Sequence, residues 1–145
     1  MALHLKIATP EIMWQHFEAY YIHIKGNPFL IKDWVGKDGK EVNREKEKPL
    51  TMVGFENYLA NQGIMADCSD YFESDSEVYK PFKDVCRRIK RTILQDHIEG
   101  AMSSMYHSGI TARLNGWSEK IENTNKNVPI LNVDPLSDTT NNSTT

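Results

Sequence analysis

The sequence has few of the features that mark secreted or membrane proteins. Its 145 residues include only two cysteines, Cys68 and Cys86, and these do not form a CxxC pair. The N-terminal segment lacks the apolar core of a secretory signal, so both thiols are expected to be reduced. No apolar run approaches the roughly 20 residues that a membrane-spanning helix requires. These absences predict a soluble, intracellular protein that makes no membrane contact.

The patterns of catalytic and metal-binding proteins are also missing. There is no glycine-rich phosphate loop, no nucleophile elbow and no pair of carboxylates in an apolar frame. The histidines are scattered, with none four residues from another and none beside a cysteine, which gives no metal-ligand spacing. We therefore expect a non-enzymatic protein with no catalytic residue, no metal and no cofactor. The histidines are His4, His16, His23, His97 and His107.

The stretch 79–106 is predicted to form one long helix around which the rest of the chain is organised. Pro81 suits the first turn of a helix, and no helix breaker follows before Gly100. At about 1.5 Å per residue such a helix spans about 40 Å. Apolar residues at helical spacing predict one buried face. They are Phe82, Val85, Cys86, Ile89, Ile93, Ile98, Ala101, Met102 and Met105.

The same stretch carries the densest positive charge of a chain whose formal net charge is -3. Lys83, Arg87 and Arg91 fall on one side of the predicted helix at i,i+4 spacing, flanked by Arg88 and Lys90. One interpretation is a solvated face that is salt-bridged to the acidic segment 67–77. A second is a stripe that contacts phosphates, and a third is an interface where the acids of one subunit meet the basic face of the next. The second and third interpretations can coexist.

The first predicted helix begins at Thr9-Pro10-Glu11 and ends at Gly26-Asn27-Pro28. Its aromatic residues lie on more than one face, so we expect the helix to pack on both the core and a neighbouring subunit. The predicted contacts on this helix are Trp14, Phe17 and Tyr21.

A β-hairpin is predicted over residues 29–48, with its turn at Gly36-Lys37-Asp38-Gly39. Because a two-stranded hairpin is only marginally stable alone, we expect it to lie against another element or another subunit. Trp34 is the predicted contact residue of the hairpin.

Residues 51–73 predict a helix-turn-helix-like pair, with helices over 52–60 and 64–72. The second helix exposes acids and has no lysine or arginine, so it would repel a phosphate backbone. It is therefore not expected to read DNA by itself. Its acids Asp70 and Glu73 are instead predicted to contact a neighbouring subunit.

The C-terminal part of the chain changes composition. A break at Ser108-Gly109 precedes a last helical turn over 110–114, after which the sequence is rich in Asn, Ser and Thr. We predict an N-terminal arm over 1–8, a helical oligomerisation core over 9–120 and a tail over 121–145. The tail contains a candidate strand at 128–133 and a disordered end.

The order of these parts resembles the small terminase subunit of tailed bacteriophages, in the group typified by a short-tailed Salmonella phage. The similar segments together cover about residues 12–120. They are the aromatic helix Trp14–Tyr21 with its Gly26-Asn27-Pro28-Phe29 end, the charged hairpin up to Lys48, Pro49–Leu59, Tyr71, Gln95–Ala101 and Ile110–Trp117.

The resemblance implies a mainly helical subunit with a β-hairpin. With the elements predicted above, the expected fold is mainly α, with a long central helix, a helix-turn-helix-like pair, one β-hairpin and a candidate C-terminal strand. Such a subunit assembles into a homo-oligomeric ring in the host cell cytoplasm. It binds double-stranded viral DNA and recruits or regulates the large terminase subunit for genome packaging. The ATPase and nuclease belong to that large subunit, so the small subunit is non-enzymatic.

One feature of the family does not carry over. The family associates DNA contact with a basic C-terminal extension, whereas the tail here has only Lys120 and Lys126 before Asp134 and Asp138. The predicted nucleic-acid residues are therefore those of the long helix, with a second group elsewhere. They are Lys83, Arg87, Arg88, Lys90 and Arg91, and secondarily Lys37, Lys40, Arg44 and Arg113.

Two alternative functions follow from the same residues. A dimeric helix-turn-helix transcriptional regulator would bind a palindromic DNA site and would require a basic second helix. A purely structural oligomer would engage the basic cluster wholly in salt bridges.

Overall fold

A computed structural model describes residues 5–117 of the chain. It contains five helices and one two-stranded antiparallel hairpin, which confirms the predicted combination of helices with a hairpin. The candidate strand 128–133 and most of the predicted tail lie outside the described residues. The elements in chain order are α1 (Pro10–Lys25), β1 (Phe29–Val35), β2 (Lys40–Lys46), α2 (Met52–Asn61), α3 (Ser69–Glu73), α4 (Lys83–Met102) and α5 (Ser108–Leu114).

Helix α1 has the predicted bounds. The Thr9 hydroxyl accepts a hydrogen bond from the backbone N–H of Ile12, and the helix ends at Gly26. Its buried residues include Phe17 and Tyr20, whose rings pack against Phe55 of α2 with centroid separations of 5.4 and 5.6 Å. The Phe17 ring is only 1% exposed and fills the core of its own chain, while its predicted role in a subunit contact stays a prediction.

The N-terminal segment is attached to the core through Tyr71. The backbone N–H of Ile7 donates to the Tyr71 hydroxyl oxygen at 3.0 Å, and this hydroxyl donates to the Ile7 carbonyl at 3.3 Å. The Ile7 side chain is fully buried, and the Tyr71 ring packs edge-on against Phe82 at 4.9 Å. Residues 5–8 thus contribute to the core although they form no regular element.

The second helix of the predicted helix-turn-helix pair is much shorter than expected. The turn after α2 has the predicted positive φ, +70° at Gly63, but α3 spans only Ser69–Glu73. The Asp67 carboxylate accepts from the backbone N–H of Ser69 at 2.8 Å. This local hydrogen bond competes with helix formation and accounts for the late start of α3.

The long helix is also shorter than predicted. A 3-10 turn over Lys80–Phe82 precedes α4, and the chain leaves the helix after Met102, with a positive φ of 59° at Ser104. The twenty residues of α4 span about 30 Å rather than 40 Å. The chain then turns back, and the backbone N–H of Tyr106 donates to the Gly100 carbonyl at 3.0 Å.

The predicted buried face of α4 is confirmed for the first half of the helix. For the second half the prediction is wrong. Cys86, Ile89 and Ile93 are buried as predicted, but Ile98 is 38% exposed and Met102 is 82% exposed. Because one helical turn takes 3.6 residues, the stripe continues instead at His97 and Gly100, which are buried. The C-terminal half of α4 therefore exposes an apolar edge.

The predicted break at Ser108-Gly109 is wrong, because these residues form the first turn of α5. The His107 ring precedes the helix and accepts from the backbone N–H of Ile110 through Nδ1 at 3.3 Å. This cap allows the helix to begin two residues earlier than the sequence indicates. The predicted end is confirmed by a positive φ of 67° at Gly116.

The hairpin forms with the predicted turn. Phe29 lies opposite Lys46, Val35 lies opposite Lys40, and Gly36 and Gly39 both have positive φ. Within residues 5–117 no other element covers either face of the hairpin, and nearly all of its side chains are exposed. Of the two predicted alternatives, packing against another element of the same chain is not seen among the described residues, and contact with another subunit stays a prediction.

Candidate nucleic-acid and subunit interfaces

One row of exposed cations follows α4. Lys83, Arg87 and Arg91 occupy successive turns on the same side of the helix. Lys83 Nζ lies 2.6 Å from Asp75 Oδ1, which confirms the predicted salt bridge to the acidic segment for this residue. The hydrogen bond from Lys83 lowers the pKa of the exposed Asp75 carboxyl.

The pairing weakens along the row. Arg87 makes a 3.5 Å contact with Asp84 on its own helix. No carboxylate of residues 5–117 lies within ion-pair distance of Arg91. The row thus has one well-paired cation, one loosely paired cation and one cation without a described acidic partner.

Arg88 does not belong to this row. Helical geometry turns it about 140° away from Lys83, toward α1, where its guanidinium carbon lies 3.7 Å from the centre of the Trp14 ring. Trp14 in turn donates from Nε1 to Glu18 at 2.7 Å. Arg88 and Trp14, which the sequence assigned to DNA and to a neighbouring subunit respectively, therefore pack on each other within one chain.

Lys90 and Glu73 lie in a cleft between α3 and α4. Lys90 Nζ is 5.7 Å from the centre of the Phe72 ring, and Glu73 and Asp75 line the same cleft. Glu73, one of the two acids predicted to contact a neighbouring subunit, thus lies near basic residues of its own chain. Asp70 is exposed on α3.

The secondary nucleic-acid candidates lie on other elements than α4. Lys37 is in the hairpin turn, Lys40 and Arg44 are on β2, and Arg113 is exposed on α5. Arg44 Nε is 2.9 Å from Asp33 Oδ2, so this arginine already has an exposed partner.

Two of the predicted contact residues present aromatic surface to solvent. Tyr21 is 42% exposed and Trp34 is 63% exposed. The structure adds apolar residues that the sequence reasoning missed, among them Ile22 on α1 and Leu30 on β1. Ile22 directly follows the predicted contact residue Tyr21, and Leu30 lies on the same face of β1 as Trp34, so both could have been found from the sequence.

A polar cluster at the base of the hairpin was not predicted. Lys25 at the end of α1 pairs with Asp96 of α4 and lies 2.6 Å from Glu47 Oε1 and 2.9 Å from the Tyr106 hydroxyl. Burial lowers the pKa of Lys25, but hydrogen bonds with Asp96, Glu47 and Tyr106 outweigh this effect and raise the pKa overall. Burial is the main reason that the pKa of Tyr106 rises to about 12.

The same region fixes the backbone between the hairpin and α2. Leu50 donates its N–H to Asp96 Oδ2 at 2.8 Å, and its carbonyl lies 2.6 Å from His97 Nε2. Because a carbonyl only accepts, Nε2 carries the proton, and Nδ1 accepts from Asn115 Nδ2 at 2.9 Å. Tyr20 bonds both backbone groups of Thr51, at 3.0 and 3.1 Å. The cluster therefore holds the segment between the hairpin and α2 against the helical core.

The two thiols are buried and do not form a disulfide. Burial raises the pKa of Cys68 to about 12, with a smaller contribution from Glu56, and the pKa of Cys86 to about 11. Both cysteines thus remain protonated near neutral pH, where a thiol is a weak nucleophile.

Comparison of the sequence with protein-family models gives no match, and comparison with curated proteins gives none either. In the part of the chain that the structure describes, no helix combines the length and apolar character needed to cross a membrane. No group of three or more potential metal ligands occurs among residues 5–117.

Proposed function

We propose that this protein is a DNA-packaging subunit of the small terminase kind. It is non-enzymatic, assembles into a ring, binds double-stranded viral DNA and recruits or regulates the large terminase subunit in the host cell cytoplasm. The observation that carries the DNA contact is the row of exposed cations on α4, formed by Lys83, Arg87 and Arg91.

Phosphate is the ligand chemistry that suits this row. Arginine presents a planar fork of donors that matches phosphate oxygens, and a lysine adds a point charge. The Lys83–Asp75 and Arg87–Asp84 pairs are exposed, so each contributes little to stability and is readily replaced by contacts with a phosphate backbone. Arg91 is available without breaking an ion pair in the described chain.

The dimeric regulator is less well supported. Helix α3 has five residues, with Asp70 and Glu73 and no cation. A recognition helix needs enough length to lie in the major groove and side chains that bind base edges. Helix α3 meets neither requirement.

Self-association is supported by apolar surface that the single chain leaves uncovered. Tyr21 and Ile22 on α1, Trp34 on β1 and Met102 on α4 are each more than 40% exposed. They lie on three different elements, which suits a subunit that contacts neighbours on more than one side. A ring meets this condition because every copy has two neighbours.

The DNA contact is tested with Arg91→Glu in the full chain, by fluorescence anisotropy on labelled double-stranded DNA over a range of salt concentrations. We expect the affinity to fall at least about tenfold at fixed salt and the salt slope to decrease by about one to two, because a phosphate contact is replaced by repulsion. The mass of the oligomer is expected to remain unchanged.

Lys6→Glu is the matched control, since it makes the same charge change at an exposed residue outside α4. Its affinity is expected to stay within about twofold of the wild-type value. Equal losses in both variants would mean that binding follows net charge rather than the α4 row, and the proposal would be wrong. Dissociation of the oligomer by Arg91→Glu would assign this residue to a subunit contact instead.

A further inference from the structure

The β-hairpin presents two faces of opposite charge. Side chains alternate between the faces along each strand, and directly paired residues share a face. The first face, called the basic face, consists of Phe29, Ile31, Asp33, Val35, Lys40, Val42, Arg44 and Lys46. The second, called the acidic face, consists of Leu30, Lys32, Trp34, Glu41, Asn43 and Glu45.

Two ion pairs agree with this division. Arg44 pairs with Asp33 at 2.9 Å on the basic face, and Lys32 pairs with Glu41 at 2.9 Å on the acidic face. After these pairs form, the basic face retains Lys40 and Lys46, and the acidic face retains Glu45. The excess charges of the two faces are therefore opposite in sign.

Each face also carries exposed apolar side chains. On the basic face Phe29 is 52% exposed and Ile31 is 45% exposed, while on the acidic face Leu30 is 67% exposed and Trp34 is 63% exposed. A two-stranded hairpin with both faces in water is marginal by itself. Within residues 5–117 no helix or other strand covers either face.

We infer that the hairpin docks on the hairpin of a second copy of this chain, with the basic face of one copy on the acidic face of the next. This packing buries apolar side chains from both faces and brings Lys40 and Lys46 near the carboxylates of the neighbour. Sheets that pack face to face lie about 10 Å apart, which leaves room for the interdigitating side chains.

The charges select this arrangement over a symmetric pair. Two basic faces or two acidic faces repel each other, which disfavours a two-fold dimer through the hairpin. A contact between two different faces leaves one free face at each end, so copies add until the array closes. A closed ring uses both faces of every hairpin and buries twice the area that one face offers.

The base of the hairpin is held in place for such a contact. Glu47 and the Lys48 carbonyl both bind Lys25, and Lys48 Nζ lies 5.0 Å from the centre of the Phe29 ring. A fixed base lowers the entropy that is lost when the faces dock. The inference rests on the self-assembly of the proposed function and not on its DNA contact.

Charge reversal of each face tests the inference, with native mass spectrometry as the readout. Lys40→Glu with Lys46→Glu, and separately Glu41→Lys with Glu45→Lys, are each expected to raise the concentration needed for assembly at least about tenfold. The quadruple variant restores opposite charges and is expected to assemble nearly as well as the wild type. Lys37→Glu, in the turn and on neither face, is the control and is expected to leave the mass unchanged.

A second measurement does not depend on weakening the contact. Ile31→Cys and Asn43→Cys lie on opposite faces, so these two cysteines cannot bridge within one hairpin. Under copper-phenanthroline oxidation the double variant is expected to form a ladder of multimers. Each single variant is expected to remain largely unlinked.

The outcomes separate this inference from the proposed function. A wild-type oligomer that neither charge reversal disturbs, or single cysteines that cross-link as well as the pair, would overturn the hairpin contact and leave the DNA proposal standing. Loss and rescue of assembly by the charge variants, in a protein that binds no DNA, would support the hairpin contact and overturn the DNA proposal. A wild-type chain that stays monomeric at high concentration would overturn both.

Discussion

Lys25 and Asp96 form an ion pair although 71 positions separate them in the chain. Their side chains are 14% and 13% exposed, and the pair joins the end of α1 to the middle of α4. Because Asp96 also accepts from the backbone N–H of Leu50, it fixes the connection from the hairpin to α2. This pair is therefore the main polar interaction that connects the base of the hairpin to the helical core.

Removal of Asp96 is expected to destabilise the fold strongly. Asp96→Ala removes the more buried carboxylate partner of Lys25 and leaves the Leu50 N–H without its acceptor, so we expect the free energy of unfolding to fall by about 3 kcal/mol. Glu47→Ala removes the more exposed partner of Lys25 and is expected to cost less than about 1 kcal/mol. Urea denaturation followed by circular dichroism compares the two variants. If both lost the same free energy of unfolding, Asp96 would not be the more important partner of Lys25.

Gly100 is expected to resist substitution even by alanine. A Cβ at this position would lie 1.9 Å from the Tyr106 ring, so the ring would have to leave its place beside Lys25. Glycine to alanine in a helix normally stabilises by up to about 1 kcal/mol, but Gly100→Ala is expected to destabilise by about 1–3 kcal/mol. Gly109→Ala, which meets only the His107 side chain at 3.3 Å, is the control. A rise in melting temperature for Gly100→Ala would show that Tyr106 is not tightly packed.

Stability is expected to decrease in alkaline solution. Burial raises the pKa of Cys86 from 9.0 to about 11 and that of Cys68 from 9.0 to about 12. The folded chain therefore keeps protons that the unfolded chain has already lost, and stability falls as pH rises above about 9. The raised pKa values of Tyr106 and Lys25 act in the same direction above about pH 10.

Urea denaturation at a series of pH values measures this decrease. We expect a nearly constant contribution from these groups between about pH 7 and 8.5, followed by a decline. A variant with alanine at Cys68 and Cys86 is expected to show a smaller slope between about pH 9 and 11. An unfolding free energy that stays constant to pH 11 would contradict the burial of the two thiols.

Arg88 and Arg91 are expected to behave differently although they are three residues apart. Arg88→Gln loses the cation–π contact with Trp14, and the free energy of unfolding is expected to fall by about 0.5–1 kcal/mol with little effect on DNA affinity. Arg91→Gln is expected to leave stability unchanged and to weaken DNA binding. Thermal unfolding and DNA titration of both variants distinguish these results, and similar behaviour of the two arginines would contradict the assignment.

Local signals in the sequence predicted much of the fold. The Thr-Pro-Glu start of α1, its Gly-Asn-Pro end and the glycines of the hairpin turn act within a few residues of where they stand, and each has the expected effect. The first half of α4 was predictable for the same reason, because Cys86, Ile89 and Ile93 have clear helical spacing.

The rest depends on contacts between distant residues. The ion pair of Lys25 with Asp96 joins separate helices, and no spacing rule links them. Asp96 and His97 lie about one helical turn after the buried Ile93, on the same side of α4. Polar residues that continue a buried apolar stripe indicate a buried polar contact, and the sequence prediction did not use this signal. The turn of the chain after Met102 depends on the packing of Tyr106 against Gly100, which local propensity does not reveal.

The row of exposed cations on α4 shows the same limit of prediction from local sequence. Helical spacing correctly grouped Lys83, Arg87 and Arg91 on one exposed side. It did not separate Arg88, whose partner Trp14 lies on another helix, and it did not pair Lys83 specifically with Asp75. Charge patterns identify a candidate surface, whereas tertiary packing decides which of its charges are already engaged.

We propose that this chain assembles through unlike surfaces into a ring that binds DNA. The most direct test is the native mass of the wild-type protein, measured by light scattering and native mass spectrometry over a range of concentrations. We expect a single closed species of about eight to ten chains, because head-to-tail contacts add copies until the ring closes. A strict monomer at high concentration, or a two-fold dimer that grows no further, would contradict head-to-tail assembly into a ring.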